Sequence, residues 1–245
     1  MNLQNNTILI TGGSTGIGLA LAKRFLALGN QVIVTGRNAQ KLEQAKKENP
    51  ALITFQGDVS DAEDRENLVR EIHEHYPQLN ILINNAAVNY RYYFEDEPDS
   101  VSKVEYELQV NLIAPIQLTV MLLPLLREKP EAAVVNVSSG LALAPKSITA
   151  VYCCSKAGLH SFTMALRFQL AKTNVQVFEI LPPLVDTPMT AGRGKNKMSP
   201  EGLVDEFLRN LKKNRFETYA GIVKVLKWIL RIAPGFAYRT VEKRP

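Results

Sequence analysis

Tyr152 and Lys156 stand four residues apart in the segment Tyr152-Cys153-Cys154-Ser155-Lys156. In a helix that spacing puts a phenol and an amine on one face, a turn apart. Ser139 lies thirteen residues before the tyrosine and ends the apolar run Val134-Val135-Asn136-Val137-Ser138-Ser139. A serine at the end of a buried strand can meet the other two side chains there. Free tyrosine titrates at roughly pH 10, too high for easy proton exchange at neutral pH. A nearby ammonium favours the phenolate, so Lys156 is expected to lower that value. The Ser139 hydroxyl can hydrogen-bond a substrate oxygen as charge develops on it. Hydride addition to a carbonyl creates an alkoxide that needs a proton, and this set of groups suits that task.

A glycine loop far upstream supplies the second half of such a device. It reads Thr11-Gly12-Gly13-Ser14-Thr15-Gly16-Ile17-Gly18, between an apolar run and a helical pattern. Glycine permits unusual dihedrals and close backbone approach. The helix that opens there offers unpaired N–H groups and a positive dipole end to a pyrophosphate. Gly12, Ser14, Thr15, Gly16, Ile17 and Gly18 are therefore candidate cofactor contacts. A site for NAD(H) needs an Asp or Glu near the end of the second strand, to bond the ribose 2′-OH. Here Val32-Ile33-Val34-Thr35 runs into Gly36-Arg37-Asn38, with no acid and one arginine. A guanidinium fork suits a 2′-phosphate, so Arg37 favours NADP(H) over NAD(H).

Short β-branched runs alternate with longer helical patterns, which positions these groups. Strands are expected at 7–11, 31–35, 52–56, 79–84, 133–137 and 175–181. Helices are expected at 17–28, 39–48, 61–76 with Ser60 as N-cap, 104–127 and 152–171. Alternation of this kind implies parallel βαβ units with right-handed crossovers, hence an α/β doubly wound parallel sheet. The strands are apolar throughout, as expected when both sheet faces are covered. The chain shows no repeat of solenoid period and no linker, so a single domain is expected over 1–245, with a small lid and a C-terminal helix at about 189–245.

Composition excludes several classes. The 245 residues are 46% hydrophobic and 22% charged, ordinary for a globular protein. The net charge of +5 fits a mildly basic enzyme that binds a polyanionic cofactor better than a nucleic-acid binder. No charged residue lies between Glu107 and Arg127, but Gln109, Asn111, Gln117, Thr119, Pro115 and Pro124 interrupt the apolar run. A buried helix, a candidate for a subunit interface, is expected there and not a membrane span. The first basic residue, Lys23, follows the apolar run Ile8-Leu9-Ile10, so no signal peptide is read. The only cysteines, Cys153 and Cys154, are neighbours in a helix and build no disulfide framework. A reducing cytoplasm is the natural inference. The histidines, His73, His75 and His160, show no metal-ligand spacing with cysteine, and no zinc site is expected.

From about residue 5 to 190 these motifs resemble the short-chain dehydrogenase/reductase family. The resemblance implies a Rossmann-type fold and a Ser–Tyr–Lys group, usually completed by an Asn. Carried over by position, Tyr152 is the general acid/base, Lys156 binds the nicotinamide ribose and tunes Tyr152, and Ser139, not Ser138, has the family spacing. Asn111 in Gln109-Val110-Asn111 matches the asparagine that holds a proton-relay water. Asp58 and Val59 resemble the adenine-contacting pair, and Asn84-Asn85-Ala86-Ala87 the motif that supports the adenosine. Pro182, Val185 and Thr187 lie in the segment resembling the nicotinamide contact, with Thr187 on the carboxamide. The chain departs from the family at Ala87, where Gly is usual, and at Pro183, where Pro-Gly is usual. Thr15 stands where NADP enzymes often carry a basic residue, which leaves Arg37 as the main phosphate ligand. The C-terminal Thr-Gly strand motif of the family is not found.

Beyond that segment, Met189 to Met198 is polar and glycine-containing and reads as a lid over the substrate. Ser199-Pro200-Glu201 starts a helix well. Asn89-Tyr90-Arg91-Tyr92-Tyr93-Phe94 could line the pocket mouth or pack as an ordinary aromatic loop. Ile222 to Ile232 is a basic amphipathic pattern, read as covering the protein's own core in preference to lying on a membrane. The resemblance also implies a homodimer or homotetramer through the helices at 104–127 and 152–171. The expected activity is an NADP(H)-dependent oxidoreductase acting on a small carbonyl or alcohol, with no nucleic-acid or membrane partner. The alternative is a non-catalytic NADP-binding sensor or scaffold, which would not need Asn111, Ser139, Tyr152 and Lys156 together. A sugar epimerase of the related extended families is disfavoured by the short chain and the loop spacing.

Overall fold

A computed structural model describes residues 1–243. The last two residues of the expected tail, 244 and 245, lie outside the described residues. Seven strands form one parallel sheet in the order β3-β2-β1-β4-β5-β6-β7. They are β1 (Thr7–Thr11), β2 (Gln31–Gly36), β3 (Ile53–Gln56), β4 (Leu79–Asn84), β5 (Ala132–Val137), β6 (Val175–Leu181) and β7 (Glu217–Tyr219). The chain winds outward from β1 to β3, crosses back to β4 beside β1, then winds outward to β7. The order reverses between β1 and β4, and a doubly wound sheet offers its binding crevice at the carboxyl ends of such strands.

Alternate residues of each strand enter different cores. Ile8, Ile10, Val32, Val34 and Val135 pack with Leu21 and Phe25 of α1 (Gly16–Ala27), Leu42 of α2 (Ala39–Glu48) and Phe207 of α7 (Pro200–Lys212). Leu9, Ile33, Leu82 and Val134 pack on the opposite face. Their partners include Leu68 of α3 (Ala62–His75), Leu118 and Leu122 of α5 (Ala114–Arg127), and Leu166 of α6 (Ala150–Gln169). Both faces are thus covered, which is why the strands carry apolar runs.

Four expectations need correction. The long helix expected at 104–127 begins at Ser100 and is not continuous α-helix: α4 (Ser100–Leu108) passes through a π turn, Gln109–Ile113, into α5. Asn111 sits inside that turn, and a π turn re-aims the side chains it carries. The N-cap of α3 is Asp61, whose side chain accepts from Asp64 N, and not Ser60, whose hydroxyl instead donates to Asp58 Oδ1. The seventh strand was not anticipated, because Glu-Thr-Tyr is too short and too polar to carry a period-two signal.

The tail is the fourth. α8 (Val223–Ile232) buries Val223, yet Val225, Trp228 and Ile232 on it and Ile222 before it stay exposed. Its apolar stripe is broader than the contact it makes, so it covers the core only along one edge. α9 (Pro234–Lys243) follows and is tied back by Glu242, which accepts from Ser147 N at 2.8 Å. The stretch Ser100–Arg127 is long and apolar enough to cross a membrane by length and composition. Its α5 portion nevertheless buries Ala114, Leu118, Leu122, Leu125 and Leu126 against the sheet.

Candidate active site

The glycine loop, Arg37, Asn85, Ser139 and Pro182 follow the carboxyl ends of strands, and helices bring the remaining groups to the same edge of the sheet. A cavity of about 520 Å³ runs across the ends of β1, β2, β4, β5 and β6. At its centre the glycine loop leaves β1 and turns into α1. Gly12 adopts φ +64°, and a Cβ there would stand 2.8 Å from Ala86 Cα. At Gly18 a Cβ would stand 2.4 Å from the Gly12 carbonyl oxygen. The loop is therefore shaped by close backbone contact that only glycine permits. Asn85 staples it to β4: its Nδ2 donates to Thr11 O at 2.9 Å and Gly12 O at 3.1 Å. The Thr11 hydroxyl accepts in return from Asn85 N and Ala86 N, each at 3.0 Å. Such a cradle, with the N-terminus of α1 open above it, fits a dinucleotide pyrophosphate.

Of the candidate cofactor contacts, Gly12, Ser14, Thr15, Gly16, Ile17, Arg37, Asp58, Val59, Asn85, Ala86, Ala87, Tyr152, Lys156, Pro182 and Thr187 line this cavity. Gly18 lies beneath the loop and shapes it. Val185 is buried and pairs with Met198 at the base of the lid, away from the cavity wall. The altered Pro182-Pro183 pair is accommodated: Pro182 O accepts from Gly140 N at 2.9 Å, which fixes the β6 end beside the β5 end.

One end of the cavity is basic. Arg37 follows β2 there, and Asn38 and Lys41, from the start of α2, join it. Arg37 donates to the Tyr106 hydroxyl, and its guanidinium lies 5.7 Å from that ring's centroid. The Tyr106 hydroxyl in turn donates to Asp58 Oδ2 at 2.8 Å. Burial pushes the Asp58 carboxyl up, but hydrogen bonds from Ser60 N, the Ser60 hydroxyl and Tyr106, with the Arg37 charge, hold it below its ordinary value. Sequence reasoning missed Lys41 and Tyr106. A lysine in the first turn of the helix after Arg37 was a usable signal; Tyr106, on a distant helix, gave none.

At the other end stand the proton-transfer candidates. Lys156 and Tyr152 are one turn apart on α6. Lys156 is 2% exposed, and its Nζ donates to Val137 O at 2.8 Å and lies 5.9 Å from the Tyr152 ring centroid. The Ser138 hydroxyl turns away to Ile180 O at 3.3 Å, whereas the Ser139 side chain faces the Tyr152 phenol. The structure thus brings Ser139, Tyr152 and Lys156 together. It does not bear out the expected lowering of the phenol. Burial pushes Tyr152 up to about 12, only partly opposed by the Ser139 hydroxyl and the Arg193 charge. The same burial drives Lys156 down to about 8, which weakens the cation meant to stabilise the phenolate.

Asn111 works as a clamp. Its Oδ1 accepts from Val88 N and its Nδ2 donates to Val88 O, both at 2.9 Å, and Nδ2 also reaches Ser155 Oγ at 3.1 Å. It thereby fixes the segment after β4 to the helix that carries Tyr152. Glu107, one turn before Asn111, is wholly buried. Its Oε1 accepts from Tyr90 N at 3.3 Å, while Oε2 has no partner among the described residues. Burial pushes this carboxyl up from 4.5 to about 7. A raised carboxyl keeps its proton when folded and loses it when unfolded, so stability falls as pH rises between those two values. Glu107→Gln is therefore expected to gain stability relative to the wild type as pH rises from 4.5 to about 7. Urea melts across that range check it, and parallel curves would contradict it.

Asn89 and Tyr90 line the cavity mouth, whereas Tyr93 and Phe94 are exposed and do not. The lid leaves Thr187 and returns at Met198. Its base is zipped by Asp186 N to Met198 O at 2.9 Å and Met198 N to Leu184 O at 3.0 Å. Met189 and Arg193 of the lid face the cavity. Ser199 caps α7 by accepting from Gly202 N, as expected. Cys153 and Cys154 are both free, and the described residues contain no group of three or more His, Cys, Asp or Glu able to hold a metal.

The chain is similar to known proteins over most of its length. A sequence model of the family described as short chain dehydrogenase matches residues 6–198. The uncharacterized oxidoreductase DltE of Bacillus subtilis (strain 168) is 43% identical over 223 residues, 89% of this chain and 88% of that one. A short chain dehydrogenase from Burkholderia cenocepacia J2315, solved in complex with NADP, superposes with a TM-score of 0.87 at 22% identity, over 100% of both chains. A short chain dehydrogenase/reductase from Burkholderia phymatum, solved with NAD, gives 0.82 at 16% identity, over 95% of this chain and 96% of that one. At such identities the two structures speak for the fold alone, and their cofactors differ.

Proposed function

The chain belongs to the short-chain dehydrogenase family, and on that premise we propose that it moves hydride between NADP(H) and a small carbonyl or alcohol, through Ser139, Tyr152 and Lys156. One observation carries the reading: Tyr152 and Lys156 line the same cavity as the glycine loop, and the Ser139 side chain stands against the Tyr152 phenol behind that wall. A bound nicotinamide dinucleotide supplies the hydride. Gly12 to Ile17 would hold the pyrophosphate, and Arg37 with Lys41 the 2′-phosphate, for which no competing carboxylate stands at the end of β2.

In reduction, the Ser139 hydroxyl and the Tyr152 phenol hydrogen-bond the carbonyl oxygen. As that oxygen gains negative charge, Tyr152 gives up its proton to it. A phenol held at about 12 stays protonated at neutral pH, the state reduction requires. Alcohol oxidation requires the phenolate instead. Oxidation is therefore expected to accelerate as pH rises above neutrality, while reduction does not; initial rates in both directions across pH check it. Lys156, anchored on Val137 O, is the cation available to the phenolate and to the ribose beside it. Asn111 keeps the segment after β4 in register with α6.

NAD-binding relatives of the same fold exist, so the cofactor is tested directly by titrating the protein with NADPH and with NADH and following nicotinamide fluorescence. Tighter binding of NADPH supports Arg37 and Lys41 as phosphate ligands, and a preference for NADH refutes them. We place the enzyme in the cytoplasm, on its two free thiols, and assign it no nucleic-acid or membrane partner. Val120 of α5 and Met164 and Phe168 of α6 are exposed apolar residues on helices that pack side by side on one sheet face. They favour a homodimer or homotetramer, which sedimentation velocity decides.

A further inference from the structure

The mouth of the cavity opposite Arg37 gathers positive charge that the proton-transfer group does not use. Arg193, from the lid, lines the cavity with Asn89, Tyr152 and Met189. Its Nη2 donates to Asn89 O at 3.4 Å, which holds the guanidinium over the segment that leaves β4. Arg91 lies two residues further along that segment and is exposed. The two guanidinium groups repel: burial first, and the charge of Arg91 second, depress Arg193. Arg193 and Tyr152 line the same cavity, close enough for the guanidinium charge to act on the phenol. Among the described residues neither arginine forms an ion pair with a carboxylate.

The charged groups around them do not neutralise the pair. Lys146, from the connection after β5, adds to the positive potential at Arg91 and is itself offset by Glu242. Glu107 also acts on the Tyr152 phenol, and burial makes it keep its proton up to about pH 7. A like charge beside the half-buried Arg193 guanidinium is unfavourable until an anion joins them. The glycine loop, the α1 N-terminus, Arg37 and Lys41 already serve the phosphates of the cofactor. A second oxyanion is therefore what this mouth lacks, and a planar guanidinium binds carboxylate or phosphate through paired hydrogen bonds.

We infer that the substrate is a carbonyl compound bearing an oxyanion, carboxylate or phosphate, which Arg193 and Arg91 bind while its carbonyl oxygen meets Tyr152 and Ser139. This rests on the reductase reading proposed above. The test uses para-formylbenzoate, para-formylphenyl phosphate and methyl para-formylbenzoate, a neutral ester of similar shape, each with NADPH. The wild type is expected to show kcat/KM about 10- to 100-fold higher for one anion than for the ester. Arg193→Gln is expected to bring that ratio close to one. Which anion is preferred separates carboxylate from phosphate recognition.

A wild-type ratio near one overturns the inference. So does a variant that keeps the ratio, or one that loses NADPH affinity by the same factor, which would assign Arg193 to the cofactor. If no aldehyde is turned over, the reductase reading fails by itself. Calorimetric titration with terephthalate and with phenyl phosphate, in the presence of NADP⁺, then still decides the anion site. Binding to the wild type that Arg193→Gln abolishes supports it; no binding of either anion to the wild type overturns it.

Discussion

Tyr152→Phe is expected to lower kcat by about 10²- to 10⁴-fold, with a far smaller effect on NADPH affinity. The substitution keeps the ring, so its packing on α6 is retained, and removes the one group placed to give the substrate oxygen a proton. The Ser139 hydroxyl faces that phenol and keeps its own acceptor role for Leu141 N at 3.1 Å, so the β5 end stays ordered. A thermal melt close to the wild type, with turnover lost, would separate chemistry from folding. Unchanged turnover would remove Tyr152 from the mechanism and revive the reading of a non-catalytic NADP-binding sensor. The high pKa that burial gives the phenol is no defect: reduction draws on the protonated form.

Replacing Arg37 and Lys41 together by Gln is expected to raise the Kd of NADPH by about 10- to 100-fold and that of NADH by no more than a few-fold. The two cations stand at the cavity end where β2 stops without a carboxylate. Arg37 is braced for this role by the Tyr106 hydroxyl, itself bonded to Asp58. Each charge-assisted hydrogen bond to a phosphate is stronger than a neutral one, and only NADPH carries the 2′-phosphate. Fluorescence titration of the double variant with both cofactors checks it. Equal losses for NADPH and NADH would mean that the cations serve the shared part of the dinucleotide.

Much of this was legible in the sequence because the fold rests on local signals. Mainly apolar segments of five to seven residues mark β1, β2, β4, β5 and β6, and Gly12, Gly16 and Gly18 mark a turn where backbone must approach backbone. Tyr152 and Lys156 are legible because a helix fixes their relation. Ser139 was found by spacing, and the hydroxyl directions distinguish it from Ser138. What stayed hidden depends on burial or on contacts between distant elements. The π turn at Asn111 has no turn residue to announce it. The high pKa of Tyr152 follows from how the protein packs around its ring, which no motif encodes. Tyr106, Lys41 and Arg193 reach the cavity only because α4, α2 and the lid happen to converge there. The tail misled for a similar reason: an amphipathic stripe tells that a face is apolar, but not how much of it finds a partner.

The central claim, hydride transfer from NADPH to a carbonyl, is tested most directly with NADPH deuterated at the transferred position of the nicotinamide ring. The wild type is incubated with this cofactor and the para-formyl substrates, and the alcohol products are weighed by mass spectrometry. An alcohol carrying one deuterium, formed by the wild type and not by Tyr152→Phe, is the predicted result. Tight binding of NADPH with no deuterated alcohol from any of them would contradict the account and leave a cofactor-binding protein without the chemistry.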